Sequence, residues 1–204
     1  MEIEKIIRDN DVFVFELDNV LYPEKDFFLQ VYYLFGQFVE YGEQMDATAI
    51  LKYMQHIYME QGHEGIFEKT ASHFGIPEKY KLNFDLLQRN VRLPLKLLLF
   101  DPCLALLNAL VKAQKPIFLL VSGNPEAQLN KIRQVDWQGL EKHLTVYFVE
   151  EIAASVSDKG LTYLMEQHSL TGKKLLLLTE KDTAVPNVEG VTLNILTVDK
   201  LFLP

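Results

Sequence analysis

The 204-residue chain predicts an α/β fold: a parallel-sheet core with a helical segment inserted directly after its first strand. Three observations lead there. Short apolar, β-branched or aromatic runs end in polar loops, as buried strands do. Helical patterns separate most of these runs, which argues for βαβ crossovers and hence a parallel sheet. Residues 24–92 interrupt the alternation, because they carry no convincing strand and their apolar side chains recur at helical spacing.

Val12-Phe13-Val14-Phe15 is the first strand and runs into Glu16-Leu17-Asp18-Asn19. The insert follows. Phe28, Val31, Tyr32, Phe35, Phe38 and Val39 share one helical face, and Ile50, Tyr53, Met54, Ile57 and Tyr58 another. Gly62, Gly65, Gly75 and Pro77 punctuate the segment into about three or four helices. Beyond it the clearest strands are Ile117–Val121 and Leu175–Leu178, with weaker candidates at Val146–Val149 and Thr192–Leu196. Helical patterns at Pro102–Lys112, Glu126–Gln134 and Lys159–His168 lie between them. The expected division is a core of residues 1–22 and 95–204 and a helical cap of 23–94. A cap so placed would cover the carboxyl ends of the strands, where open α/β sheets bind ligands.

Composition narrows the function classes. Hydrophobic residues at 49% and charged residues at 24% suit a globular chain and exclude wholesale disorder. A net charge of −8 with no basic cluster opposes binding to polyphosphate backbones, so no nucleic-acid partner is expected. The longest apolar run, around Leu95–Phe100, is far too short to span a bilayer, so no membrane partner is expected either. The first residues lack a basic-then-apolar leader pattern, and Cys103 is the single cysteine. Both favour a reducing, cytoplasmic setting.

The chemistry-bearing residues stand at strand ends. Glu16 and Asp18 are spaced i and i+2, so in extended chain their side chains point the same way. Together they would hold a hard cation or divide nucleophilic and acid–base work. Ser122-Gly123-Asn124 follows an apolar strand and offers a hydroxyl and backbone N–H groups to phosphate oxygens, or alternatively a turn before a helix. Ser155 precedes the helix marked by Leu161, Leu164 and Met165, and Glu180 follows Leu175–Thr179.

Phe15-Glu16-Leu17-Asp18-Asn19-Val20-Leu21-Tyr22-Pro23 resembles the first motif of the haloacid dehalogenase (HAD) superfamily, in particular capped phosphatases with Asp-Leu-Asp-Asn-Thr-Leu-Tyr-Pro. The resemblance covers the whole chain. It implies a Rossmann-like core with an α-helical cap and phosphoryl transfer through an aspartyl-phosphate. A second Asp then serves as acid/base, a Thr or Ser and a Lys hold the phosphoryl group, and a last acidic motif helps bind magnesium. Carried over residue by residue, it puts Glu16 at the nucleophile and Asp18 at the acid/base. Glu16, Asp18 and Glu180 become the metal set, and Ser122, Gly123, Asn124 and Ser155 the phosphate set.

Several of these positions depart from the family. Glu16 adds a methylene to the nucleophile, moving its oxygen by about 1.5 Å. Close relatives read Thr-Asn-Gly where this chain has Val121-Ser122-Gly123, so either Val121 or Ser122 fills the hydroxyl position. Ser155 stands where a Lys is expected, with Lys159 falling in the first helical turn. Thr179, Glu180, Thr183 and Ala184 replace the family's Gly-Asp and second acid, with Asp182 a substitute and Pro186 opposing the usual helix. The expectation is a phosphatase-like protein with degenerate motifs, impaired or inactive, with weak magnesium affinity. It would retain a small phosphorylated ligand or a protein partner. The alternative is an active magnesium-dependent phosphomonoesterase with Glu16 as nucleophile and Asp18 as acid/base. The Asp-Asn-Val-Leu-Tyr-Pro wording leans toward nucleotidase-like relatives.

Three further features stand outside this chemistry. His56, His63 and His73 lack ligand spacing. The aromatic stripe Phe27, Phe28, Tyr32, Tyr33, Phe35 and Phe38 reads as core rather than as a base-stacking platform. Cys103, beside Leu104, Leu106 and Leu107, reads as a small buried hydrophobe.

Overall fold

The computed structural model describes residues 3–152, 158–181 and 190–202, with the side chains of residues 158 and 159 excepted. In chain order the elements are α1 (Ile3–Asp9), β1 (Val12–Phe15), α2 (Glu24–Glu43), α3 (Ala47–Gln61), α4 (Ile66–Phe74), α5 (Lys81–Asn90), β2 (Leu97–Leu98) and α6 (Asp101–Lys112). There follow β3 (Ile117–Val121), α7 (Pro125–Gln134), β4 (Val135–Asp136), β5 (Leu144–Phe148), α8 (Val149–Ile152), α9 (Asp158–Gln167), β6 (Lys174–Thr179), β7 (Thr192–Thr197) and α10 (Val198–Phe202). The chain forms two compact units. One comprises residues 1–23, 98–128 and 135–204; the other comprises Glu24–Leu97 with Leu129–Gln134.

The first unit is an α/β layer structure on a five-stranded sheet in the order β5-β3-β1-β6-β7. Every neighbouring pair in it is parallel. β1 lies at the centre, with Phe15 opposite Leu119 of β3 on one side and Leu178 of β6 on the other. A strand bonded on both edges and covered on both faces has no position for a polar side chain, which is why Val12–Phe15 is apolar throughout.

The two-residue pleat sorts the strand residues by face. Val12 and Val14, Phe118 and Leu120, and Leu175 and Leu177 pack with Leu161, Leu164 and Met165 of α9. The alternate set, Phe13, Phe15, Leu119, Leu176 and Leu178, is buried as well. β5, at the sheet edge, is only partly buried and carries the exposed Thr145.

The second unit is helical. α2 buries Phe27, Phe28, Val31, Tyr32, Phe35 and Val39, and α3 buries Ile50, Met54 and Ile57. Gly36 permits their approach, since a Cβ there would lie 3.1 Å from the Ala47 carbonyl oxygen. α3 begins at Asp46, whose carboxylate accepts from the N–H groups of Thr48 and Ala49. α4 ends at Gly75, with φ 72°, where the N–H groups of Gly75 and Ile76 both donate to the Ala71 carbonyl.

Two members of the aromatic stripe depart from the expected core. Tyr33 is 45% and Phe38 41% exposed. Tyr33 lies about 100° around the helix from the buried Tyr32, while Phe38 packs edge-on against Tyr80 at the unit's rim. His63, read from the sequence only as a histidine without ligand spacing, is a packing residue. Its ring stacks on Phe28 at 3.8 Å between centroids, and its Nδ1 and Nε2 lie 2.8 Å from Tyr32 Oη and 3.0 Å from Gln88 Oε1.

Candidate functional site

The polypeptide leaves extended geometry at the end of β1, and that departure shapes the site. Leu17 and Leu21 are buried and close a turn through Leu21 N–H to the Leu17 carbonyl, with Asn19 at φ 57°. Asparagine tolerates the left-handed region better than most side chains. A parallel bridge then joins Asp18 to Tyr22. The strand thus gives way to a turn directly after Glu16.

The Glu16 and Asp18 carboxylates are bound to opposite sides of β1. Asp18 Oδ1 accepts from Tyr22 Oη at 2.6 Å, and Asp18 Oδ2 accepts from Gln128 Nε2 at 3.1 Å. Gln128 belongs to the first turns of α7, after β3. Glu16 Oε2 instead accepts from the Glu180 N–H at 3.4 Å, beyond β6. Burial raises the Glu16 carboxyl above its usual range, and the nearby Glu180 charge adds to this, while the bond from the Glu180 N–H pulls the other way.

The loop after β3 is built from backbone. Val121 is a buried strand residue, whereas Ser122, Gly123 and Asn124 are exposed. Gly123 adopts φ 107°, and a Cβ there would stand 3.1 Å from Gln128 Nε2, so both conformation and space require glycine. Asn124 caps α7 by accepting from the Ala127 N–H at 3.1 Å. Gln128 Nε2 also donates to the Ser122 carbonyl at 2.9 Å, and with two acceptors facing it the amide has one satisfactory orientation. Its Oε1 is buried with no partner among the described residues. The Gly123 N–H is already engaged, donating to Glu150 Oε1 at 2.6 Å.

At the end of β6, Thr179 is buried and folds back on itself, donating to the Lys181 carbonyl at 2.8 Å and accepting from the Lys181 N–H at 3.2 Å. Glu180 is exposed and lies 3.9 Å from Lys181 Nζ. Ser155, Asp182, Thr183, Ala184 and Pro186 lie outside the described residues, as does the side chain of Lys159.

The three acids expected to hold magnesium do not form a metal cage. Among the described residues, no group of three or more His, Cys, Asp or Glu side chains could hold a metal ion. Asp18 uses one oxygen for Tyr22 and the other for Gln128, while Glu16 accepts from the Glu180 N–H. Magnesium demands near-octahedral oxygens at short distances, which this arrangement does not supply.

Tyr22, Gln128 and Glu150 were not singled out as site residues from the sequence. Tyr22 and Gln128 had a local signal, each lying four residues after a residue already singled out, Asp18 and Asn124. Glu150 had none, because its partner is 27 residues away.

No family model matches the chain, and no curated protein does. Solved structures do. A Thermotoga maritima protein described provisionally as a beta-phosphoglucomutase covers 94% of this chain and 96% of its own, with a TM-score of 0.58 at 11% identity. A HAD family hydrolase from Deinococcus radiodurans R1, solved with bound phosphate and sodium, covers 91% of this chain and 80% of its own, with a TM-score of 0.51 at 16% identity. The fold is thus the parallel-sheet, Rossmann-like α/β fold of HAD hydrolases.

Proposed function

We propose that this chain is a HAD-like hydrolase scaffold whose phosphoryl-transfer machinery is degenerate, so that catalysis is impaired or absent while a small phosphorylated ligand is still recognised. The helical insert takes the role of the cap in this reading, and the lone Cys103 suits a cytoplasmic setting. The observation that carries the proposal is the division of the first motif. Glu16, in the nucleophile position, is bonded to the Glu180 N–H, and Asp18, in the acid/base position, is bonded to Tyr22 and Gln128 on the other side of β1. An acyl-phosphate mechanism needs one carboxylate in line with the phosphorus and the other within reach of the leaving-group oxygen, and a misplacement of about 1 Å can cost on the order of 100-fold.

Other departures act in the same direction. Magnesium finds no three-acid group among the described residues, and Ser155 stands where a lysine would balance phosphoryl charge. The test is a phosphatase assay with nucleoside monophosphates and sugar phosphates, with magnesium supplied. The expected outcome is turnover well below about 1 s⁻¹, the low end of ordinary enzymes. The combined reversion Glu16→Asp, Ser155→Lys, Glu180→Asp and Ala184→Asp is expected to create or sharply raise activity. Unmodified protein that turns over at about 1 s⁻¹ or faster, and loses this in Glu16→Gln, would establish the active enzyme with Glu16 as nucleophile instead.

A further inference from the structure

Two carboxylates are hung on the same short loop from different sides. Gln128 Nε2 joins Asp18 Oδ2 to the Ser122 carbonyl, and the next residue, Gly123, gives its N–H to Glu150 Oε1 at 2.6 Å. A distance of 2.6 Å is short for an N–H donor and marks a charge-assisted bond. The donor is one that an anionic ligand would use, since backbone N–H groups in tight, positive-φ loops hold phosphate oxygens.

The buried amide of Gln128 backs this loop through its nitrogen. Gln128 is 8% exposed, its amide abuts Gly123, and its Oε1 has no donor among the described residues. A buried amide oxygen without a donor is costly to leave so. Glu150 itself has no packing reason to reach the loop, being exposed on the short α8.

We infer that Glu150 is a built-in competitor for phosphate at the Gly123 N–H, so that a phosphorylated ligand gains the loop only when the Glu150 carboxylate is displaced. This rests on the reading of residues 122–124 as a phosphate-binding loop and adds its regulation. The competition has two parts. The carboxylate occupies the donor, and its charge repels a phosphate approaching the same atoms.

The experiment uses the full chain and inorganic phosphate as probe, with the Gly123 amide followed by NMR. Wild type, Glu150→Ala and Glu150→Gln are compared. In phosphate-free buffer the Gly123 amide resonance is expected to move in Glu150→Ala, reporting loss of the bond. Phosphate is then expected to bind Glu150→Ala at least about tenfold more tightly than wild type, equivalent to about 1.4 kcal/mol. Glu150→Gln should fall between them, because glutamine keeps an acceptor but removes the charge. Equal phosphate affinity in all three proteins, with Gly123 responding in each, overturns the competition and leaves the phosphate loop standing. A Gly123 amide that ignores phosphate in all three overturns the phosphate loop itself, and the competition with it.

Discussion

His63 illustrates how one side chain acquires a property that its type does not carry. The ring is stacked on Phe28, accepts from Tyr32 Oη at Nδ1 and donates from Nε2 to Gln88 Oε1, which specifies the neutral tautomer. Burial, the largest cause, pushes its pKa down to about 4 from the ordinary 6.5; nearby Lys131 adds to this, while the bond to Gln88 opposes it. The unfolded chain therefore binds a proton that the folded chain refuses between pH 6.5 and 4. Stability from this group is complete above pH 6.5 and is lost as pH falls toward 4, by at most about 1.4 kcal/mol per pH unit. Chemical denaturation across that range should show a shallower acid loss in His63→Phe than in wild type. Parallel curves for the two proteins would assign the acid sensitivity to other groups. Lys131, 4% exposed, is paired with Glu24 at 3.2 Å and lies over the rings of Phe27 and Phe28.

Among the elements, the helices of the second unit depend on their ends as well as their buried faces. α3 has no acidic residue in its first turn, so Asp46 carries the N-terminal capping through bonds of 2.8 and 3.1 Å. Asp46→Ala should cost about 1 kcal/mol, and Asp46→Asn much less, because asparagine also caps. For a chain of this size 1 kcal/mol is about 2–4 °C in Tm, well within the reach of thermal unfolding. An unchanged Tm in Asp46→Ala would show that the end of α3 is held by packing alone. α9 makes a different demand on the sheet unit. Leu164 is wholly buried against Val12, Val14 and their neighbours, so Leu164→Ala should cost about 2–5 kcal/mol through lost contact and residual cavity. A denaturant midpoint within error of wild type would contradict that packing.

For the whole molecule, the sheet order makes the first strand the one on which the others are assembled. β1 is the middle strand of five, although it comes first in the chain and is only four residues long. Val14→Asp would bury an unpaired charge beneath α9 on the central strand and should leave the protein insoluble or unfolded. Thr145→Asp, on the exposed face of the edge strand β5, should be tolerated with little change. Soluble yield and circular dichroism of the two variants make the comparison, and equal tolerance would contradict the central position of β1. The same topology explains the split of Glu16 and Asp18. A strand end with a neighbour on each side offers hydrogen-bonding partners on each side, and the two acids take one side each.

Much of this architecture was determined by the amino-acid order alone. The five strands of the main sheet, the helices α6, α7 and α9 and the helical 24–92 segment are local patterns of apolar period two or 3.6, interrupted by Gly and Pro, and such patterns need no knowledge of distant chain. The apolar character of Val12–Phe15 even signalled a strand covered on both faces. Which residues meet at the strand ends was decided only in three dimensions. The parallel direction expected of Glu16 and Asp18 came from treating the chain as extended, whereas in the structure a turn closes from Leu17 to Leu21 and the two carboxylates take partners beyond different strands. The bond between Glu150 and Gly123, the pairing of Gln128 with Asp18 across 110 residues, and the burial of His63 all arise from contacts distant in sequence. Periodicity reports which face of an element is apolar. It carries no information about which polar group waits opposite, and the chemistry of this site depends on those groups.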